Sequence, residues 1–203
     1  MIGPLFRWLF QWPYRFALAG LYRTGLRAWQ LTALSLLANV AVGSLLLTGR
    51  RLLPGLLLIP AGLLDVFDGG VARLRGEDSR RGALLDAVID RVSDGIVFGC
   101  LFVAEASLHR RPLTAALALA AMIVSLLVSH VRAEAEAAGL NLPEGSIQRL
   151  ERYVALIIGL SVPGALVPVL AILAALGLVT ASQRLVTAWR GLQSAPERSG
   201  ASR

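Results

Sequence analysis

The chain has 203 residues, of which 56% are hydrophobic and 16% charged. A water-soluble domain of this length cannot hide so much apolar surface, so lipid is the solvent for most of it. The formal charge of +7 comes from 20 arginines and no lysine; in a membrane protein arginine flanks the spans and meets anionic head groups, a reading preferred here to nucleic-acid binding.

From the N-terminus, residues 4–24 mix Trp8, Trp12, Tyr14 and Tyr22 with Arg7, Arg15 and Arg23. That mixture predicts an amphipathic helix lying in the membrane interface, kinked at Pro13. Six apolar segments of membrane-spanning length follow, near 31–48, 52–74, 83–108, 113–137, 150–168 and 169–190. Pro163, Gly164 and Pro168 mark a short turn between the fifth and sixth. Cys100, the single cysteine, sits in the apolar run IVFGCLFV and reads as a small buried hydrophobe. No cleavable secretory signal is expected. The expected fold is all-α and integral to the membrane: one domain over 1–192, then a disordered cytoplasmic tail over 193–203.

An even number of spans puts both ends on one side. Arg7, Arg15, Arg23, Arg27, Arg73, Arg75, Arg80, Arg81, Arg132, Arg149, Arg152, Arg190, Arg198 and Arg203 fall there, against Arg50, Arg51, Arg110 and Arg111 opposite. The bias makes the first side cytoplasmic.

Residues 63–95, LLDVFDGGVARLRGEDSRRGALLDAVIDRVSDG, carry the chemistry. Ionisable groups are costly in a bilayer and default to a functional reading. Asp65 and Asp68 lie three apart at the end of the second span, and Asp86 and Asp90 four apart at the start of the third. On helices each pair shares a face, and the short connection makes the two helices antiparallel neighbours. Four converging carboxylates repel each other unless protons or cations intervene. All-oxygen ligation without Cys or His suits Mg²⁺ or Mn²⁺. The bland alternative is interfacial ion pairing with Arg73, Arg80, Arg81 and Arg91. Gly69, Gly70, Ala72 and Gly82 permit close approach of a helix or ligand, and Arg73 is placed to clamp a diphosphate.

Asp65, Asp68, Gly69, Ala72, Arg73, Gly82, Asp86 and Asp90 match every fixed position of D-x2-D-G-x2-A-R-x8-G-x3-D-x3-D. The chain thereby resembles the CDP-alcohol phosphotransferase family, membrane enzymes that transfer a phosphatidyl group from a CDP-linked lipid to an alcohol and release CMP. The resemblance implies two divalent ions on Asp65, Asp68, Asp86 and Asp90, with Asp90 also the general base. It assigns CDP-lipid contacts to Thr32, Gly69, Arg73 and Ser79, and it implies a homodimer. Within the family, LDAVIDRVSDG, SHVRAEAEAAGL, RLER and QRL look like the bacterial phosphatidylinositol phosphate synthases. That likeness implies CDP-diacylglycerol and 1D-myo-inositol 3-phosphate as substrates, with the acceptor phosphate on Arg132, Arg152 and Arg184. Two departures stand out: Arg27, Ala28 and Trp29 replace the family's Thr-Pro-Asn or Thr-Pro-Asp, and Glu134 reverses a charge in the fourth span's KARAE pattern.

Glycerol 3-phosphate or another polar alcohol is the alternative acceptor. A small cation transporter is the remote alternative, disfavoured because the acids gather at one membrane face whereas transporter sites lie near the midplane. A non-catalytic scaffold would need no divalent ion.

Overall fold

The computed structural model describes residues 4–77, 79–140 and 149–194. Among these residues all regular structure is helical: α1 (Pro4–Arg23), α2 (Ala28–Leu46), α3 (Leu52–Arg75), α4 (Arg80–Val103), a π-helical turn (Ala104–Leu108), α5 (Pro112–Ala137), α6 (Arg149–Ser161) and α7 (Leu166–Ser194). The residues from 195 onward, and the segment 141–148, lie outside the described residues, as does most of the expected tail.

Four helices are long and apolar enough to cross a membrane: α2, α3, α5 and α7. The expected count of six is met by length and composition only to that extent. Helix α6 has 13 residues, roughly 20 Å at 1.5 Å per residue and short of the hydrocarbon thickness. Helix α4 is long, but Asp86, Asp90, Arg91 and Asp94 depress its hydropathy. Both nevertheless build the same core. Val97, Phe98 and Leu101 of α4 and Tyr153, Leu156 and Leu160 of α6 are buried with Val42, Leu58, Ala118 and Leu170 from the other four helices. Around α4 the apolar residues Leu84, Leu85, Val88 and Val92 face outward.

One boundary needs correction. The break between the last two helices falls at Val162–Ala165, with Gly164 at φ +82°, and Pro168 stands inside α7. Proline is tolerated in a first turn because its missing N–H would find no helical partner there.

Close crossings use small residues. A Cβ on Gly55 of α3 would sit 2.7 Å from Ser161 Oγ and 3.0 Å from Leu160 Cβ of α6. Leu160 Cβ cannot swing away, so Gly55→Val is expected to lower stability by about 1–3 kcal/mol. Thermal unfolding of the purified protein in detergent checks this; an unchanged midpoint would mean the crossing is loose.

Helix α1 continues through Pro13 and docks on the end of α3. Tyr14 stacks on Phe67 with ring centroids 5.4 Å apart, and Leu18 is buried against Leu31 and Val71. Arg75 donates to the Tyr22 carbonyl at 3.1 Å and lies over its ring at 5.0 Å. At the other end of the bundle, Arg51 holds the buried Glu105 of the π turn at 2.6 Å.

Candidate active site

The turn between α3 and α4 is four residues long, Gly76 to Ser79. Gly76 adopts φ +64°, a left-handed conformation that costs glycine little. Its N–H bonds to Arg73 O and that of Glu77 to Ala72 O, the paired bonds that close a helix end. Ser79 then caps α4, its Oγ accepting from Gly82 N–H at 3.0 Å. The expected packing of α3 and α4 as neighbours is not seen: each packs on α2, and the two meet through their carboxylates.

Oxygens of Asp65, Asp68 and Asp86 all lie within 4.8 Å of one another. Asp68 is buried, and the other two are half-buried. Such a set of hard donors fits a Mg²⁺- or Mn²⁺-sized ion, and without one the charges repel. Asp90 is half-buried one turn further along α4 and stands outside this trio.

Thr32 of α2 is buried, with its Oγ1 2.8 Å from Asp68 Oδ2. It holds one carboxylate of the cluster. Arg73 and Gly69 share one side of α3: Arg73 Nη1 is 3.6 Å from where a Cβ on Gly69 would stand. A Cβ there would make only ordinary van der Waals contact with that guanidinium. Ser79 is exposed and engaged as the cap. Arg91 turns inward and donates to Ala87 O at 2.6 Å and Ser129 O at 3.2 Å, tying α4 to α5. It serves the backbone there, which the salt-bridge reading did not anticipate.

A second, cationic group stands on α5, α6 and α7. Arg184 of α7 is buried and donates to Val128 O of α5 at 3.1 Å, and Arg132 and Arg152 both act on its charge. Arg132 pairs on its own helix with Glu136 at 2.7 Å and is exposed. Arg152 donates to Asp94 at 2.8 Å. Arg132 and Arg152 thus lie within electrostatic range of Arg184, the three residues standing on α5, α6 and α7. Glu134, the reversed charge, is 70% exposed and 3.9 Å from His130, on the surface of α5. Arg27 stands at the N-terminus of α2, where its N–H donates to Gln30 Oε1 at 2.9 Å.

A family model described as CDP-alcohol phosphatidyltransferase matches residues 26–189. The chain belongs to the CDP-alcohol phosphatidyltransferase family. It is 37% identical over 179 residues to a phosphatidylinositol phosphate synthase of Mycobacterium marinum, covering 84% of this chain and 76% of that one. An archaetidylinositol phosphate synthase of Methanothermobacter thermautotrophicus is 37% identical over 169 residues, 80% of each chain. Among solved structures, the phosphatidylinositol phosphate synthase of Mycobacterium tuberculosis with CDP-DAG bound superposes with a TM-score of 0.76 at 32% identity, covering 94% of this chain and 98% of that one. The same enzyme in complex with manganese and citrate gives 0.76 at 33%, covering 92% of each. One of those structures holds manganese, and the carboxylate trio here could hold such an ion.

The sequence reading left out Asp94 and Ser125 within this enzyme's interior. Asp94 follows Asp90 by four residues, so the helical repeat that linked Asp86 to Asp90 extends to it. Ser125 carried no signal.

Proposed function

We propose that this protein transfers the phosphatidyl group of CDP-diacylglycerol to 1D-myo-inositol 3-phosphate, giving phosphatidylinositol phosphate and CMP. The observation that carries the reading is the approach of Asp65, Asp68 and Asp86 to within 4.8 Å of one another, with Arg132, Arg152 and Arg184 supplied by α5, α6 and α7. The acids would hold Mg²⁺ or Mn²⁺, in two ions by family resemblance. When bound, such cations offset diphosphate charge and make CMP a better leaving group. Arg73 grips the diphosphate, and Gly69 leaves room for it. Arg132, Arg152 and Arg184 hold the acceptor's phosphate, because guanidinium meets phosphate through parallel charge-assisted hydrogen bonds. Asp90 takes the proton of the attacking hydroxyl as its oxygen bonds to the phosphorus that bears diacylglycerol and the bond to CMP breaks.

Membrane placement follows the same reading. Helices α4 and α6 complete six crossings, α1 lies in the interface with Phe16 79% exposed, and both ends are cytoplasmic. The homodimer has support in open small-residue surface on α4, where a Cβ on Gly95 would meet nothing within 4 Å.

The decisive assay uses purified protein, labelled CDP-diacylglycerol, Mn²⁺ and a panel of alcohol phosphates. CMP release with inositol phosphate is the expected result. Release only with glycerol 3-phosphate would move the acceptor assignment, and release with none, from folded protein, would refute the transferase.

A further inference from the structure

Asp94 continues the acidic face of α4 at i+4 from Asp90, but its surroundings differ from those of the metal cluster. It is 5% exposed, and its Oδ2 accepts from Ser125 Oγ of α5 at 2.7 Å and from Arg152 Nη2 of α6 at 2.8 Å. One carboxylate oxygen thus joins three helices. Arg152 has little freedom left, its side chain being 13% exposed. Its Nε–H is buried and without a partner among the described residues, as is that of Arg184.

Buried N–H groups are seldom left unpaired, and each costs desolvation free energy when they are. The two guanidinium groups, each with one unpartnered Nε–H and within electrostatic reach of each other, also repel. An anion would satisfy both. A long flexible arginine is a poor receptor for it unless something holds the guanidinium in place beforehand. We infer that Asp94, with Ser125 behind it, is a positioning residue that fixes Arg152 by one edge so that its remaining N–H groups meet the phosphate of the acceptor. This rests on the acceptor reading proposed above and assigns what holds that subsite in shape. Asp94 touches neither the diphosphate nor the reacting hydroxyl in this scheme, so its effect falls on acceptor binding. Uniform binding of ground and transition states moves KM and leaves kcat.

Steady-state kinetics of Asp94→Asn test it, on whichever alcohol phosphate the wild type turns over. The acceptor KM is expected to rise roughly tenfold, the loss of one charge-assisted contact. The kcat, the KM for CDP-diacylglycerol and the Mn²⁺ activation constant are expected to stay within about threefold. A purely structural role would move all four together, and that outcome overturns the inference. Ser125→Ala removes one of the two bonds to Asp94 and keeps the ion pair; its acceptor KM is expected to rise about threefold. Should Asp94→Asn not fold, an unchanged KM in Ser125→Ala overturns the inference by itself. In an Arg152→Gln background, which alone raises the acceptor KM, Asp94→Asn is expected to add no further rise. A full additional tenfold would show that Asp94 acts by another route. If the wild type turns over inositol phosphate but Asp94→Asn is kinetically silent, only this inference fails. A wild type active solely on acceptors without phosphate sinks both readings.

Discussion

Replacing Asp90 by asparagine is expected to lower kcat by about 10³-fold, the scale of a lost general base, while CDP-diacylglycerol still binds. Asparagine keeps the size of the side chain and removes its capacity to take a proton. The structure gives this experiment its resolving power. Asp65, Asp68 and Asp86 form a close trio without Asp90, which lies between them and Arg152 along α4: Asp86, Asp90 and Asp94 follow at steps of four residues. On the proposed reading, a residue between the metal and the acceptor's phosphate can reach the hydroxyl. Turnover is read by CMP release, and lipid binding by retention of labelled CDP-diacylglycerol. If kcat is unchanged, Asp90 is not the base. If turnover and lipid retention collapse together, it belongs with the metal ligands.

Much of this site was legible because its parts are local in sequence. Two acidic pairs at helical spacing each present one face of a helix, and a turn as short as Gly76 to Ser79 keeps the two helices within reach of each other. No comparable rule connects Asp94 to Arg152, which are 58 residues apart and meet only because α6 packs beside α3 and α7 at the core. Chain pattern identified both residues as charged and could pair neither. The membrane topology was legible in a different measure. Helix α4 reads poorly by hydropathy because it carries Asp86, Asp90, Arg91 and Asp94, and its outward stripe of Leu84, Leu85, Val88 and Val92 is what a lipid-facing helix would retain. The misplaced boundary near Pro168 arose because proline signals a break and a helix start equally well. Gly164, with its positive φ, was the better marker. Thr32 was singled out as a ligand contact; what the sequence did not convey is that its hydroxyl is committed to Asp68.

That commitment bears on the cation site, where stability and activity are expected to move in opposite directions. With no cation bound, the trio gathers like charges at the membrane edge, and Asp68, 4% exposed, bears the most dehydration. Asp68→Asn removes one of those charges and keeps an oxygen that can accept from Thr32. The metal-free variant is therefore expected to melt no lower than the metal-free wild type, and higher if repulsion dominates. Adding Mn²⁺ separates them. A ligand at 100 times its Kd stabilises the folded state by about 2.7 kcal/mol, so the wild type is expected to show a rise in Tm of several degrees and the variant little or none. Turnover follows the metal: loss of several kcal/mol of charge stabilisation corresponds to at least about 10³-fold in rate. Chelation should do the same to the wild type, reversibly, with Mg²⁺ or Mn²⁺ restoring it. A wild type whose Tm ignores Mn²⁺, or an Asp68→Asn variant that still responds like the wild type, would show that this trio is not where the cation sits. The distinction matters because Asp90→Asn should keep the Mn²⁺-dependent rise in Tm while losing turnover. The two substitutions thus assign separate roles to residues that one sequence motif presents as equivalent.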